Sequence, residues 1–124
     1  MSELNQQRIR GIALYASQFG MSPAAVEAHF VENYGQDFAE AAFMATGNGS
    51  WDENSLSDRE KSLIVIAILA TLGGVDERLV GHMKWAQDRN ASIEDIRATL
   101  LLVANYAGFP RASVAMDLLK KITT

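Results

Sequence analysis

Residues 57–74, SDREKSLIVIAILATLGG, decide the fold class of this chain. Ser57 and Glu60 have the spacing of a capping box, in which each side chain accepts a hydrogen bond from the other residue's backbone N–H at a helix start. The apolar run that follows is rich in β-branched residues and by itself is compatible with a buried strand. The cap, the length through Leu72 and the Gly73-Gly74 pair favour a helix, which we expect to be buried on most sides.

Helical signals continue through the rest of the chain. Apolar residues recur at helical spacing, and Asn90 is suited to the left-handed turn that ends a helix. Only Ala45–Leu56, ATGNGSWDENSL, has the composition of a long loop. Helix starts are expected at or just after Ser22-Pro23, Asp37, Asp76, Ser92 (with Asp95) and Pro110. We therefore predict an all-α protein, a single domain over residues 1–124 built as a bundle of roughly seven helices.

The composition of the chain argues against two classes of function, nucleic-acid binding and membrane interaction. The 124 residues are 48% hydrophobic and 21% charged, which is normal for a globular protein. A net charge of −4 without a basic cluster argues against nucleic-acid binding. The longest apolar run, Leu63–Ala70, is far shorter than the roughly 20 residues that span a bilayer, so we expect no membrane interaction. Lys61 and Lys84 are expected to be solvated.

The chain contains no cysteine. This excludes disulfides, zinc–thiolate sites, iron–sulfur clusters and thiol-based catalysis. A reducing cytoplasm is therefore the expected location.

Four stretches in the second half of the chain resemble the carboxymuconolactone decarboxylase family, which also contains the alkylhydroperoxidase D proteins. They are LSDREKSLIVIAILATLGG, DERLVGHMKWA, SIEDI and NYAGFPRASVA. The resemblance is strongest over residues 56–119 and weaker upstream, where Trp51 stands five residues before Leu56, as a tryptophan often does in the decarboxylases. It implies an alkylhydroperoxidase D-like fold and a homo-oligomer, a trimer or hexamer, with active sites near subunit interfaces.

The family has two chemical branches, and the resemblance favours one of them. Alkylhydroperoxidase D-type members carry cysteines at the positions of Val75 and Arg78, so thiol peroxidase activity is disfavoured here. The decarboxylases commonly have serine at the position of Ser62, as this chain does. The resemblance therefore implies a cofactor-independent, metal-free decarboxylase or related lyase acting on a small carboxylated lactone or keto acid, similar to 4-carboxymuconolactone.

The resemblance makes His82 the first candidate for the catalytic acid or the oxyanion donor. An imidazole with an unperturbed pKa near 6.5 suits proton transfer at neutral pH. Its spacing from Leu79 and Val75, considered alone, would instead indicate a hydrogen-bonded core histidine. Substrate-binding candidates are Arg59, Ser62, Trp51 and Arg111.

Each substrate-binding candidate has a structural alternative. Arg59 or Arg111 would hold a substrate carboxylate, but Arg59 could equally pair with Asp58, Glu60 or a neighbouring subunit. Ser62 would be a polar contact in the pocket mouth, and Trp51 a pocket lid or a subunit contact. Glu60 is expected to be a cap rather than a base, and Tyr106 to be packed with its hydroxyl hydrogen-bonded.

Four departures from the family pattern support a second hypothesis. Glu53 stands where the decarboxylases often have arginine, and Trp85 where they usually have alanine. Ala98 and Leu102 replace a glutamate and a polar residue. A non-catalytic, oligomeric small-ligand-binding protein on the same scaffold is therefore the alternative.

Overall fold

Seven α-helices and no β-strand occur in residues 2–123, the part of the chain that the computed structural model describes. The helices are α1 (Glu3–Phe19), α2 (Pro23–Tyr34), α3 (Gln36–Thr46), α4 (Asp58–Leu72), α5 (Asp76–Asp88), α6 (Ile93–Ala107) and α7 (Phe109–Thr123). The predicted all-α fold of about seven helices is confirmed.

The helices group into two compact units that divide between Glu53 and Asn54. The first unit contains α1–α3 and the second contains α4–α7. The expectation of one domain over residues 1–124 stays a prediction. Between Ser2 and Thr123, no helix combines the length and the apolar character that crossing a bilayer requires. The cytoplasmic location also stays a prediction.

The first unit depends on a close approach of α1 to the end of α3. A β-carbon on Gly11 would lie 1.9 Å from the carbonyl oxygen of Phe43, and one on Gly47 would lie 1.8 Å from that of Gln7. Only glycine allows the two backbones to come this near. The fully buried Phe43 fills the space beside the crossing, with the ring of Phe30 at 5.2 Å between centroids.

An ion-pair network joins the three helices of this unit. Arg8 on α1 pairs with Glu40 on α3 at 2.7 Å and also with Glu27 on α2. These hydrogen bonds hold the pKa of the Glu40 carboxyl below its ordinary value and raise that of Arg8. The start of α3 differs from the prediction, since Gly35 occupies the N-cap without a side-chain bond and Asp37 lies within the first turn.

The helices of the second unit begin and end largely as predicted. Capping boxes open α4 at Ser57 and α6 at Ser92, and Asn90 adopts a left-handed φ of 71°. The core of this unit is formed by one face of each helix. Its fully buried large side chains are Ile66, Met83, Ile96 and Leu100.

The expectation that α4 is buried on most sides is wrong. Ile64, Ile68 and Leu72 are 44%, 52% and 63% exposed, whereas Ser62, Ile66 and Ala70 face inward. Residues four apart share a helix face, so the apolar run supplies an inward face and an exposed apolar one. A uniformly hydrophobic sequence cannot show which of its faces has a neighbour.

Two helical glycines provide a matched test of the α1–α3 crossing. Gly11→Ala is expected to lower the free energy of unfolding by at least about 2 kcal/mol, because the new methyl group would meet backbone atoms that cannot move separately. Gly81→Ala on α5 has open space for its β-carbon and is expected to raise stability by up to about 1 kcal/mol. Urea denaturation followed by circular dichroism measures both, and equal effects would contradict the close crossing.

Candidate functional site

His82 lies on α5 in a half-buried position. Its ring is 6.0 Å from the ring of Trp85, in a T-shaped arrangement, and Trp85 itself is only 4% exposed. Burial lowers the pKa of the His82 imidazole below its ordinary value of 6.5, because the cation loses hydration. The imidazole is therefore predominantly neutral at pH 7 and offers one N–H donor and one acceptor.

The antiparallel hairpin of α4 and α5 determines which residues of α4 lie near the level of His82. Only three residues, 73–75, connect the two helices. At about 1.5 Å per residue, Ser62 lies about 15 Å from the turn along α4, and Trp85 lies about 14 Å from it along α5. Ser62 and Trp85 thus belong to the half of the hairpin away from the turn, and His82 lies at the middle of α5.

Two polar side chains of α4 are buried in this half. Ser62 is 2% exposed, and its Oγ has no hydrogen-bond partner within residues 2–123. Lys61 is 6% exposed, so the prediction of a solvated lysine is wrong. Lys61 lies at the edge of the inward face of α4 that contains Ser62 and Ile66. This position shields the Lys61 side chain from water. A buried hydroxyl without a partner is unusual in proteins and indicates unused hydrogen-bonding capacity.

Arg89 links the far ends of the hairpin. Its guanidinium stacks 4.5 Å from the Trp85 ring and pairs with Asp58, the first residue of α4, at 2.6 Å. Trp85, at a position where the decarboxylases usually have alanine, therefore places an indole ring in the core, and the Arg89 guanidinium packs on that ring.

Arg59 is held by a carboxylate that the sequence did not suggest. It donates from Nε and from an Nη atom to the two carboxylate oxygens of Asp95, at 2.9 and 2.6 Å. Asp95 also accepts from the backbone N–H of Ser92, as predicted. These bonds lower the pKa of the Asp95 carboxyl far below its ordinary value and raise that of Arg59. A substrate carboxylate at Arg59 would have to compete with this bidentate pair.

Arg111, on α7, lies at a different place in the second unit. It lines a cavity of about 270 Å³ beside the α4–α5 turn, together with residues of α4 and α5. His82 is not among the described residues that line this cavity. This cavity therefore does not bring the predicted acid together with this predicted carboxylate-binding arginine, and the substrate-binding role of Arg111 stays a prediction.

Trp51 and the departures from the family pattern lie elsewhere. Trp51 is half-buried, and it and the exposed Glu53 follow α3 in the first unit.

Ala98 and Leu102 are exposed on α6, and Leu102 lines an apolar groove of about 550 Å³ between α4 and α6. Tyr106 lines the same groove and is 89% exposed, so the expectation of a packed tyrosine is wrong. Tyr106 is not on the inward face of α6, which is formed by Ile96, Leu100 and Val103.

Arg78 is a further candidate that was not among the residues predicted from the sequence. It precedes His82 by four residues on α5, so the two side chains are neighbours on one helix face, with β-carbons about 5–6 Å apart. Arg78 also lines an open depression of about 480 Å³ at the start of α5, and His82 is not among the described residues of its lining. The i, i+4 spacing of a cation and the candidate histidine was the signal available in the sequence.

Residues 2–123 contain no group of three or more acidic or histidine ligands arranged for a metal ion.

Comparisons with known proteins give the following matches. The family model described as "Carboxymuconolactone decarboxylase family" matches residues 38–121. The 4-carboxymuconolactone decarboxylase of Acinetobacter baylyi is 25% identical over 92 residues, which are 74% of this chain and 68% of the relative. No solved structure matches the chain.

The buried environment of His82 predicts a pH-dependent stability. Between the folded-state pKa and 6.5, the unfolded chain binds more protons at this residue than the folded chain does. His82 therefore makes the folded state less stable as the pH falls below 6.5, and has no such effect above it. Urea denaturation between pH 7.5 and 5 should show a smaller loss of stability for His82→Gln than for the parent. Parallel losses would contradict the burial effect.

Proposed function

Because the chain belongs to the carboxymuconolactone decarboxylase family, we propose that it is a cofactor-independent decarboxylase or related lyase that acts on a small carboxylated lactone or keto acid. The observation that carries the chemical part of this proposal is the half-buried His82, whose pKa is lowered by burial. Similarity to the Acinetobacter baylyi 4-carboxymuconolactone decarboxylase supports the choice of substrate class.

Decarboxylation requires a group that stabilises negative charge on an oxygen atom. When the bond to the carboxylate breaks, its electron pair remains on the substrate carbon and is delocalised into the carbonyl, while CO₂ leaves. A neutral imidazole can donate its N–H to this oxyanion without first being protonated, and a partly dry site strengthens that bond. We therefore assign His82 the role of oxyanion donor rather than general acid; a solvent water gives the carbanion its proton and leaves as hydroxide.

Arg78 is our candidate for holding the substrate's carboxylate. It lies one turn before His82 on the same face of α5, and guanidinium groups bind carboxylates through two parallel hydrogen bonds.

A second candidate function is a non-catalytic protein that binds a small ligand. The specific observation in its favour is the 270 Å³ cavity, which has mostly apolar walls and includes Arg111 but not His82. Such a cavity can bind a small molecule without any group placed for chemistry.

Turnover of 4-carboxymuconolactone distinguishes these functions. We expect the parent protein to consume the lactone, measured spectrophotometrically, and His82→Gln to lower kcat by about 10²–10³-fold, the usual loss for one oxyanion donor. Arg78→Gln should mainly raise KM. Lys84→Gln is the control, because Lys84 is exposed on the same helix and should leave the rate unchanged.

Other results would redirect the assignment. Equal turnover by the parent and His82→Gln would keep the reaction and remove His82 from it. No turnover by a correctly folded parent would contradict this substrate and favour the binding function.

We also propose that the protein forms a homo-oligomer, a trimer or hexamer, through the exposed apolar face of α4 and α6. Leu101 and Leu102 are each 60% exposed, and Ile64 and Ile68 are 44% and 52% exposed. Ile64 and Leu102 line a largely apolar groove between these helices. Contiguous apolar surface of this kind is typical of interaction sites, and in a cyclic trimer it packs against a different surface of the next copy.

A charge on this face is expected to dissociate the oligomer. Leu102→Asp should shift the mass measured by light scattering after size exclusion from a multiple of 13.5 kDa toward 13.5 kDa. Leu4→Asp, at a 66% exposed position on α1, is the control and should not change the mass. A parent that is monomeric at every concentration, or an unchanged mass for Leu102→Asp, would contradict this interface.

A further inference from the structure

The cavity beside the α4–α5 turn combines a small apolar interior with two opposite charges. Its volume is about 270 Å³, slightly below the usual range of about 300–1,000 Å³ for ligand pockets. The apolar walls are supplied by Leu69, Ala70, Leu79, Val114 and Ala115. The charged members of the lining are Arg111 and Asp76. A cavity of this size fits a ligand smaller than a typical drug molecule.

Arg111 is positioned by the absence of a side chain at Gly73. An ideal β-carbon on Gly73 would lie 1.8 Å from one Nη atom of Arg111, so the guanidinium occupies the space that any other residue would fill. Within residues 2–123, the structure shows no hydrogen bond or ion pair from Arg111. Arg111 is an exposed residue, and its planar set of N–H donors is available to an acceptor at the cavity wall.

Asp76 lines the same cavity from the first residue of α5. In the described part of the chain it forms no ion pair with Arg111, although the two unlike charges share one small cavity. A position in the first turn of a helix favours a carboxylate, which accounts for its charge. Asp76 and Arg111 are both exposed residues, so both charges are accessible from solvent. A ligand that carries both charges would satisfy the two groups at once.

We propose that this cavity binds a free amino acid with an aliphatic side chain. The carboxylate of the ligand accepts two hydrogen bonds from Arg111, and its ammonium group donates to Asp76. The aliphatic side chain packs against Leu69 and Leu79 in the interior. This site goes beyond the proposed reaction, because His82 is not among the described residues of its lining, and either proposal can fail without the other.

Isothermal titration of the full chain with L-leucine tests the proposal. We expect the parent to bind L-leucine, and Arg111→Gln and Asp76→Asn each to weaken binding by about tenfold or more, the usual loss for a charge-assisted hydrogen bond. Arg97→Gln is the matched control, since Arg97 pairs with Glu94 on the exposed side of α6 and should bind as the parent does. Asp76→Ser replaces Asp76→Asn if the latter does not fold, because serine also suits a helix start.

Two analogues that each lack one charge of leucine complete the test. 4-Methylpentanoate lacks the ammonium group and 3-methylbutylamine lacks the carboxylate, and each should bind at least about tenfold more weakly than L-leucine. No binding of L-leucine by the parent at millimolar concentration would overturn the proposal. Unchanged binding by Arg111→Gln would overturn it as well. Equal affinity for 4-methylpentanoate would overturn the role of Asp76 and with it the assignment of an amino acid.

Discussion

Two successive glycines in left-handed conformations determine the arrangement of the second unit. Gly73 and Gly74 have φ values of 70° and 73°, a region that residues with a β-carbon rarely adopt. They reverse the chain between α4 and α5 within three residues, which fixes the two helices as an antiparallel pair. The register of this pair brings Ser62 and Trp85 to the half of the hairpin away from the turn, with His82 at the middle of α5. The same turn leaves beside Gly73 the space that Arg111 occupies.

The fold could be predicted because its decisive signals are local. Ser57 with Glu60 and Ser92 with Asp95 are three residues apart, and their hydrogen bonds depend on little beyond the helix starts themselves. Asn90 was identifiable as a left-handed residue for the same reason. Single residues and short spacings were sufficient for these features.

Much of the candidate site depends on distant contacts and could not be predicted in this way. The partner of Arg59 is 36 residues away, and no spacing rule indicates Asp95 over Asp58 or Glu60. The burial of Lys61 and the exposure of Tyr106 depend on which helix faces have neighbours. The lowered pKa of His82 likewise follows from desolvation by surrounding elements, which the spacing of residues along the chain does not show.

Asp95 joins the N-terminal ends of α4 and α6, because it caps α6 through Ser92 and pairs with Arg59 in the first turn of α4. These bonds keep its carboxyl ionised in moderately acidic solution, when ordinary surface carboxylates become neutral. The ion pair that joins the start of α4 to the start of α6 therefore persists at pH values at which an unperturbed aspartate has lost its charge.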